Sequence, residues 1–341
     1  MRKLALDRLD TLFAAIAAEH TLYLPVDGKA GAKFEKWEDG KVLSDALNTV
    51  RSPKDFFFPQ TENLMDFKTE GKKIEIIDTR EECEDFVIFG VRACDVRSFE
   101  VLDRVFLAEP ADSYYENRRK HGILVSLACN KPLETCFCGT FGIDAAAPEG
   151  DVVCHKTADA LYLDAKTEKG EALLKALEAV TEDADAAPVE EQKAVIRERL
   201  SKLPLADLSA DAFGAGKTDV FFDAPEWAEL SESCLGCGTC TFVCPTCQCY
   251  DIKDFNTGHG VKRFRCWDSC MYSDFTKMSA GQPRLTQKER FRQRFMHKLV
   301  YYPTNNDGLF SCVGCGRCVA KCPIHMNIVK VMKKLGGRAN G

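Results

Sequence analysis

The chain has no apolar run near the ~18 residues that a membrane-spanning helix needs. Its N-terminal apolar stretch, Leu12 to Ala18, is only seven residues long, and Asp7 and Asp10 interrupt what precedes it. Leu9, Leu12, Phe13 and Ile16 instead follow helical spacing. They predict an amphipathic helix on a mature cytosolic protein, with no signal peptide. A surplus of positive charge is missing too. Lys+Arg 46 against Asp+Glu 52 leaves a net charge of −6, which argues against binding nucleic acid through overall charge. There is no G-x-G-x-x-G fingerprint, so a flavin or NAD(P) site of that type belongs to another chain. Gly214-Ala-Gly-Lys-Thr218 ends like a phosphate-binding loop, but the glycine required five residues before Gly216 is Asp211. A strand-like Asp219-Val-Phe-Phe222 follows where that loop's helix should begin. No Ser/His/Asp arrangement points to a general acid or base.

What the sequence has in excess is cysteine: 18 in 341 residues, within an otherwise ordinary globular composition of 45% hydrophobic and 29% charged residues. In a reducing cytosol so many thiols imply metal ligation rather than nine disulfides. Twelve lie between Cys234 and Cys322, and four between Cys94 and Cys138. The acidic, Ala/Pro-rich Thr181 to Glu191 reads as a surface loop or linker. A domain boundary is expected near Pro225. The predicted class is α+β: an α/β domain with a parallel sheet over 1–225, and an all-α ferredoxin-like dicluster domain over 226–341.

Cys234, Cys237, Cys240 and Cys244, followed by Pro245, form the run C-x2-C-x2-C-x3-C-P. Cys312, Cys315, Cys318 and Cys322, followed by Pro323, repeat it, and the two stretches match at seven of twelve positions. In two-cluster ferredoxins the fourth cysteine of each run ligates the other cluster. The expected sets are therefore Cys234, Cys237, Cys240 and Cys322 for one [4Fe–4S] cluster, and Cys312, Cys315, Cys318 and Cys244 for the other. Structural zinc, which usually takes separated pairs of ligands, is the competing reading. Gly236, Gly238, Gly314 and Gly316 carry no side chain to hold backbone N–H groups away from the sulfides. The proline after each run suits a helix start.

Phe86 to Val91 and Ile123 to Leu127 read as buried strands. A helix lies between them, capped by Asp95, with apolar positions Val96, Phe99, Leu102, Val105 and Phe106. This βαβ unit makes the strands parallel and brings Cys94 and Cys129 to one sheet edge, where the next loop delivers Cys136 and Cys138. An additional iron–sulfur cluster is the leading reading of these four thiols. Zinc, or buried free cysteines with a reactive Cys-x-Cys pair, are the alternatives. Cys83 and Cys154 read as ordinary thiols.

The 67 residues between Cys244 and Cys312 carry Cys247, Cys249, Cys266 and Cys270. These either ligate a further cluster or are buried beside the others. Gln287 to Tyr302 predicts a helix with Phe291, Phe295 and Leu299 on one side. Its basic residues, Arg290, Arg292, Arg294, His297 and Lys298, read as a solvated face. The sharper reading is a basic surface that compensates negative clusters or docks a partner.

The insertion resembles the all-helical dicluster module of fumarate reductase iron–sulfur subunits and of heterodisulfide reductase. NTVRSPKDFFFPQTE, VRACDVRSFEVLDRVFL, ETCFCGTFG, CPTCQCYD, WDSCMYSDF and RFRQRFMHK together resemble the iron–sulfur beta subunits of cytosolic nickel–iron hydrogenases (sulfhydrogenases). That family is closely related to the iron–sulfur subunit of anaerobic sulfite reductase. The resemblance runs from about Leu22 to Ile328 and implies an electron-transfer subunit in a cytoplasmic hetero-oligomer. One partner is a flavin subunit that oxidises NAD(P)H; the other is a catalytic subunit. Carried over by position, the eight ferredoxin cysteines are ligands. Cys94, Cys129, Cys136, Cys138, Cys247, Cys249 and Cys270 fall in family motifs, and Cys266 does not. The rival function is reduction of sulfur species at the Cys94/Cys129/Cys136/Cys138 site. A zinc-stabilised scaffold is the third.

Overall fold

A computed structural model describes residues 1–46, 48–80 and 83–337. Its strands are β1 (Arg2–Ala5), β2 (Thr21–Val26), β3 (Lys33–Lys36), β4 (Thr61–Glu70), β5 (Lys73–Asp78) and β6 (Phe86–Val91). There follow β7 (Gly122–Leu127), β8 (Val152–Lys156), β9 (Ala160–Ala165), β10 (Glu182–Asp183), β11 (Tyr250–Asn256) and β12 (Gly260–Trp267). The helices are α1 (Leu9–Glu19), α2 (Ala93–Phe106), α3 (Ser113–His121), α4 (Glu168–Ala176), α5 (Ala187–Ser201) and α6 (Thr218–Phe221). They continue with α7 (Glu226–Glu232), α8 (Thr239–Phe242), α9 (Gln287–Met296), α10 (Tyr302–Asn305), α11 (Arg317–Lys321) and α12 (Ile328–Gly336). None of these helices is long and apolar enough to cross a membrane.

The larger sheet has eight strands in the order β10-β1-β9-β8-β7-β6-β2-β3. Its centre is parallel, with β2, β6, β7 and β8 paired in turn. β6 and β7 are buried along their whole length, which explains why they read as unbroken apolar runs. Val87 and Phe89 face the core made with Leu12, Phe13 and Ile16 of α1. Phe86 and Ile88 face Phe99, Leu102 and Phe106 of α2. Burying each such side chain contributes ~1.5–3 kcal/mol. Cys154 lies in the first core. Val105, expected to be buried, is 39% exposed. The cap of α2 is also not as expected. The helix starts at Ala93, and Asp95 lies inside its first turn.

The expected all-α character of 226–341 is overturned. β11 and β12 form an antiparallel hairpin inside the insertion, joined to β4 and β5 in a four-stranded sheet ordered β11-β12-β4-β5. The hairpin lacks β-branched runs, but the Gly258 and Gly260 turn and pairing with β4 suffice to make it. The strands of this sheet therefore come from both sides of the 225/226 division. Trp267 stacks on Phe58 at 5.8 Å, and Arg265 forms a buried ion pair with Glu62 at 2.5 Å.

The second large core gathers Trp227, Phe291, Phe295, Leu299, Ile328 and Met332, together with Phe213 and Phe221 from before Pro225. Asp219 to Phe222 is not a strand, since α6 covers all but its last residue. The Thr181–Glu191 linker holds β10 and the start of α5. Pro245 and Pro323 open turns rather than helices.

Candidate functional site

Each ferredoxin run ends its loop through a left-handed glycine that opens a short helix. Gly238 (φ 73°) precedes α8 and Gly316 (φ 75°) precedes α11. The two helices pack together, and that contact interleaves the runs. Cys234, Cys237, Cys240 and Cys322 line one cavity, walled by Met271, Phe291, Phe295 and Met326. Cys244, Cys312, Cys315 and Cys318 line a second, with Phe137, Arg294, Lys298 and Ile328. Each cavity thus takes three cysteines from one run and the fourth from the other. Four cysteines with no imidazole or carboxylate are the donor chemistry of [4Fe–4S] clusters. Among the described residues no group of three or more His, Cys, Asp or Glu side chains closes around a single ion's position.

The N-terminal thiols also meet. Cys94, Cys129, Cys136 and Cys138 are each under 9% exposed and pack in one buried cluster with Cys315 of the second run. Burial pushes the Cys136 and Cys138 thiols up to about 12, and raises Cys94 and Cys129 as well. The loop carrying Cys136 and Cys138 is welded to the second run. Phe137 N–H donates to Gly314 O at 2.9 Å. A Cβ on Gly314 would lie 2.3 Å from Phe137 O, and one on Gly316 2.4 Å from Thr135 O. Close backbone approach is therefore what glycine supplies at these two positions.

In the insertion, three of four cysteines come together. Cys249 interacts with Cys270, which lowers the Cys249 thiol's pKa, and Cys247 interacts with Cys244. Cys247 and Cys270 are also within electrostatic reach of each other. Cys266 stands apart on β12, paired with Thr61 and Asp251. Cys83 is half-buried in a separate cleft beside Tyr23 and Arg118.

Buried cations surround these thiols, Arg294, Lys298, Lys54 and Arg317 among them, and the expectation of a solvated basic face fails for the first two. At about 100° per residue, Lys298 falls within about 20° of Phe291 around the helix, and Arg294 within about 60°. Both are 2% exposed. Arg294 Nε donates to Cys240 Sγ at 3.1 Å and Nη2 to Cys240 O at 2.8 Å. Burial opposes its charge, but Cys240, Cys247, Cys244 and Cys318 hold its pKa well above the usual value. Lys298 sits in a π turn, His297–Tyr301, continuing α9, and donates to Thr246 Oγ1 at 2.6 Å and Ser311 O at 3.1 Å. Thr246 Oγ1 in turn lies 3.3 Å from Cys244 Sγ. Arg290 and Arg292 are half-buried.

Lys54 and Arg317 carry no such signal in the helix pattern. Lys54 donates to Cys247 O at 2.8 Å, with its ammonium 3.6 Å from the Trp267 ring centre, and burial brings it down to about 8. Arg317 forms a fully buried fork to Asp95, at 2.5 and 2.7 Å. Asn48 joins them, donating to Cys315 O at 2.7 Å and lying 3.8 Å from Cys136 Sγ. Asn48 and Lys54 belong to NTVRSPKDFFFPQTE, and a lysine beside a Phe run was the available signal.

An α/β sheet with thiols at its carboxyl edge, joined to two interleaved four-cysteine cavities, defines an iron–sulfur protein of the dicluster class. A 4Fe-4S dicluster domain family matches residues 233–326. The chain is 32% identical over 324 residues to the sulfhydrogenase 2 subunit beta of Pyrococcus furiosus, covering 92% of each chain. It belongs to the hydrogenase beta-type iron–sulfur subunit family. No solved structure matches it.

Proposed function

We propose that the chain is the electron-carrying subunit of a cytoplasmic, hetero-oligomeric oxidoreductase. Its partners are a flavin subunit that oxidises NAD(P)H and a catalytic subunit, either a hydrogenase or a reductase of sulfite or sulfur. Its [4Fe–4S] clusters are assigned to Cys234/Cys237/Cys240/Cys322 and to Cys312/Cys315/Cys318/Cys244. A third is assigned to Cys94/Cys129/Cys136/Cys138, and a further one to the region of Cys247, Cys249 and Cys270. Bound clusters supply one-electron transfer. The residues hold them, exclude water and adjust the local charge.

The observation that carries this reading is contiguity. Cys315 belongs both to the second cavity and to the buried N-terminal thiol cluster. Arg294 touches Cys240 of the first set and lines the second cavity. Three donor sets thus form one chain. Only Cys237 among their cysteines is exposed, so the first set is the outlet toward a partner.

The rival, a sulfur-species reductase at the N-terminal thiols, requires substrate to reach cysteines that are each at most 7% exposed. The test uses the full chain purified anaerobically. Cys136→Ser/Cys138→Ser should lose about four irons and leave the two ferredoxin-type EPR signals in place. Steady reduction of polysulfide or sulfite by the isolated, chemically reduced chain would favour the rival instead. Zinc without iron would favour a scaffold.

A further inference from the structure

Among the buried cations around the thiols, Arg317, Lys54 and Lys298 donate hydrogen bonds to oxygen alone. Arg317 has Asp95, Lys54 has backbone carbonyls, and Lys298 has Thr246 and Ser311. Arg294 differs. Two of its nitrogens are engaged at Cys240, a cysteine of the first set. Its third, Nη1, is buried without a protein hydrogen-bond partner. The same side chain lines the cavity of the second set. A guanidinium is a rigid fork of five N–H donors that stays charged in proteins, so an unanswered N–H on it calls for an acceptor. The groups facing it are cysteines from both sets: Cys240 of the first, and Cys244 and Cys318 of the second.

We propose that Arg294 is a positioning residue shared by both ferredoxin-type clusters, one fixed positive charge that raises both midpoint potentials together. This rests on the assignment of [4Fe–4S] clusters to the two crossed cysteine sets. Adding an electron makes a thiolate-ligated cluster more negative, and a buried cation favours that form over the oxidised one. Hydrogen bonds to the cluster's sulfurs act in the same direction. In a water-poor interior such a charge is weakly screened. Because the guanidinium lies between the two sets, its effect falls on both. Electron exchange between neighbouring clusters then stays close to balanced while both become easier to reduce. Sequence alone hides this role, since Arg294 sits among Arg290, Arg292 and Lys298 on a helix that reads as solvated.

The test compares the anaerobically purified full chain with Arg294→Lys, Arg294→Gln and Arg294→Met. Iron per chain is measured first, and then both clusters are titrated by EPR-monitored potentiometry. In the Gln and Met variants the reduced-to-oxidised ratio of both clusters, read at the wild-type midpoint, should fall about tenfold. For a one-electron couple that is ~59 mV toward more negative potential. Arg294→Lys keeps the charge and loses the fork, so it should recover most of the shift. Loss of iron from the Gln and Met variants with retention in the Lys variant also supports the proposal, since charge rather than shape then holds the clusters. Unchanged midpoints in Arg294→Met at full iron content overturn it. So does a shift confined to one cluster, or equal iron loss in all three variants. A wild-type chain without two [4Fe–4S] signals would instead refute the underlying cluster assignment.

Discussion

Asp95→Ala removes one half of the most enclosed ion pair near the thiols. Asp95 is 1% exposed, and the Arg317 guanidinium meets both its carboxylate oxygens, at 2.5 and 2.7 Å. Among the described residues, Arg317's further hydrogen bonds go to Thr49, through the carbonyl at 2.9 Å and the hydroxyl at 3.3 Å. Two neutral acceptors do not answer a buried charge. Removing one partner of such a pair typically costs ~3–5 kcal/mol, because the other charge stays buried and uncompensated. Replacing both ends with apolar side chains of similar bulk is often neutral. Asp95→Ala should therefore lower stability by ~3–5 kcal/mol, and Asp95→Ala/Arg317→Met should recover at least ~2 kcal/mol of that. Anaerobic urea unfolding of the iron-loaded chain, with the fluorescence of its tryptophans as signal, reads both numbers. If Asp95→Ala cost under ~1 kcal/mol, or the double variant were no better than the single, the pair would not bear on stability. The consequence also reaches the site. Asp95 follows Cys94 in α2, and Arg317 lies between Cys315 and Cys318, so breaking the pair should loosen iron first in the second and third donor sets.

Further outcomes follow from the same geometry. Gly314→Ala combines a φ of 58° with a Cβ 2.3 Å from a carbonyl oxygen, and should cost ~2–5 kcal/mol in the same unfolding assay. Cys244→Ala should damage the EPR signal of the second cluster and Cys322→Ala that of the first. Damage confined to each cysteine's own run would undo the crossed assignment. His297 is held down at about 4 by burial, and then by Lys298 and Arg294, against 6.5 for a free imidazole. On acidification the unfolded chain takes up this proton first. The stability present above pH 6.5 is therefore lost as pH falls from 6.5 to about 4, by up to ~3 kcal/mol. His297→Gln should flatten that part of the stability profile, and an unaltered slope would contradict it.

Local signals carried much of this protein. Cysteine spacing is a covalent property of the chain, so the two runs and the dicluster class were legible in the sequence. So was the βαβ unit, because strands buried on both faces leave unbroken apolar runs, and parallel neighbours end on one sheet edge. That geometry was enough to bring Cys94, Cys129, Cys136 and Cys138 together. The β11–β12 hairpin was not legible. Its first strand is largely exposed, so no apolar alternation announces it, and the hairpin's partner, β4, lies almost two hundred residues earlier in the chain.

The buried cations show the same division. Whether an arginine faces water or a thiol depends on what packs against its helix, and periodicity measured from the phenylalanines cannot say which neighbour arrives. Cysteine identity and spacing are written along the chain, so the groups of thiols could be read before any fold was known. Folding added that the sets are contiguous, that Cys266 stands apart, and that Arg294, Lys298, Lys54 and Arg317 point inward. Those facts depend on contacts between distant segments, where close packing selects which charged groups are enclosed and which partners remain to answer them.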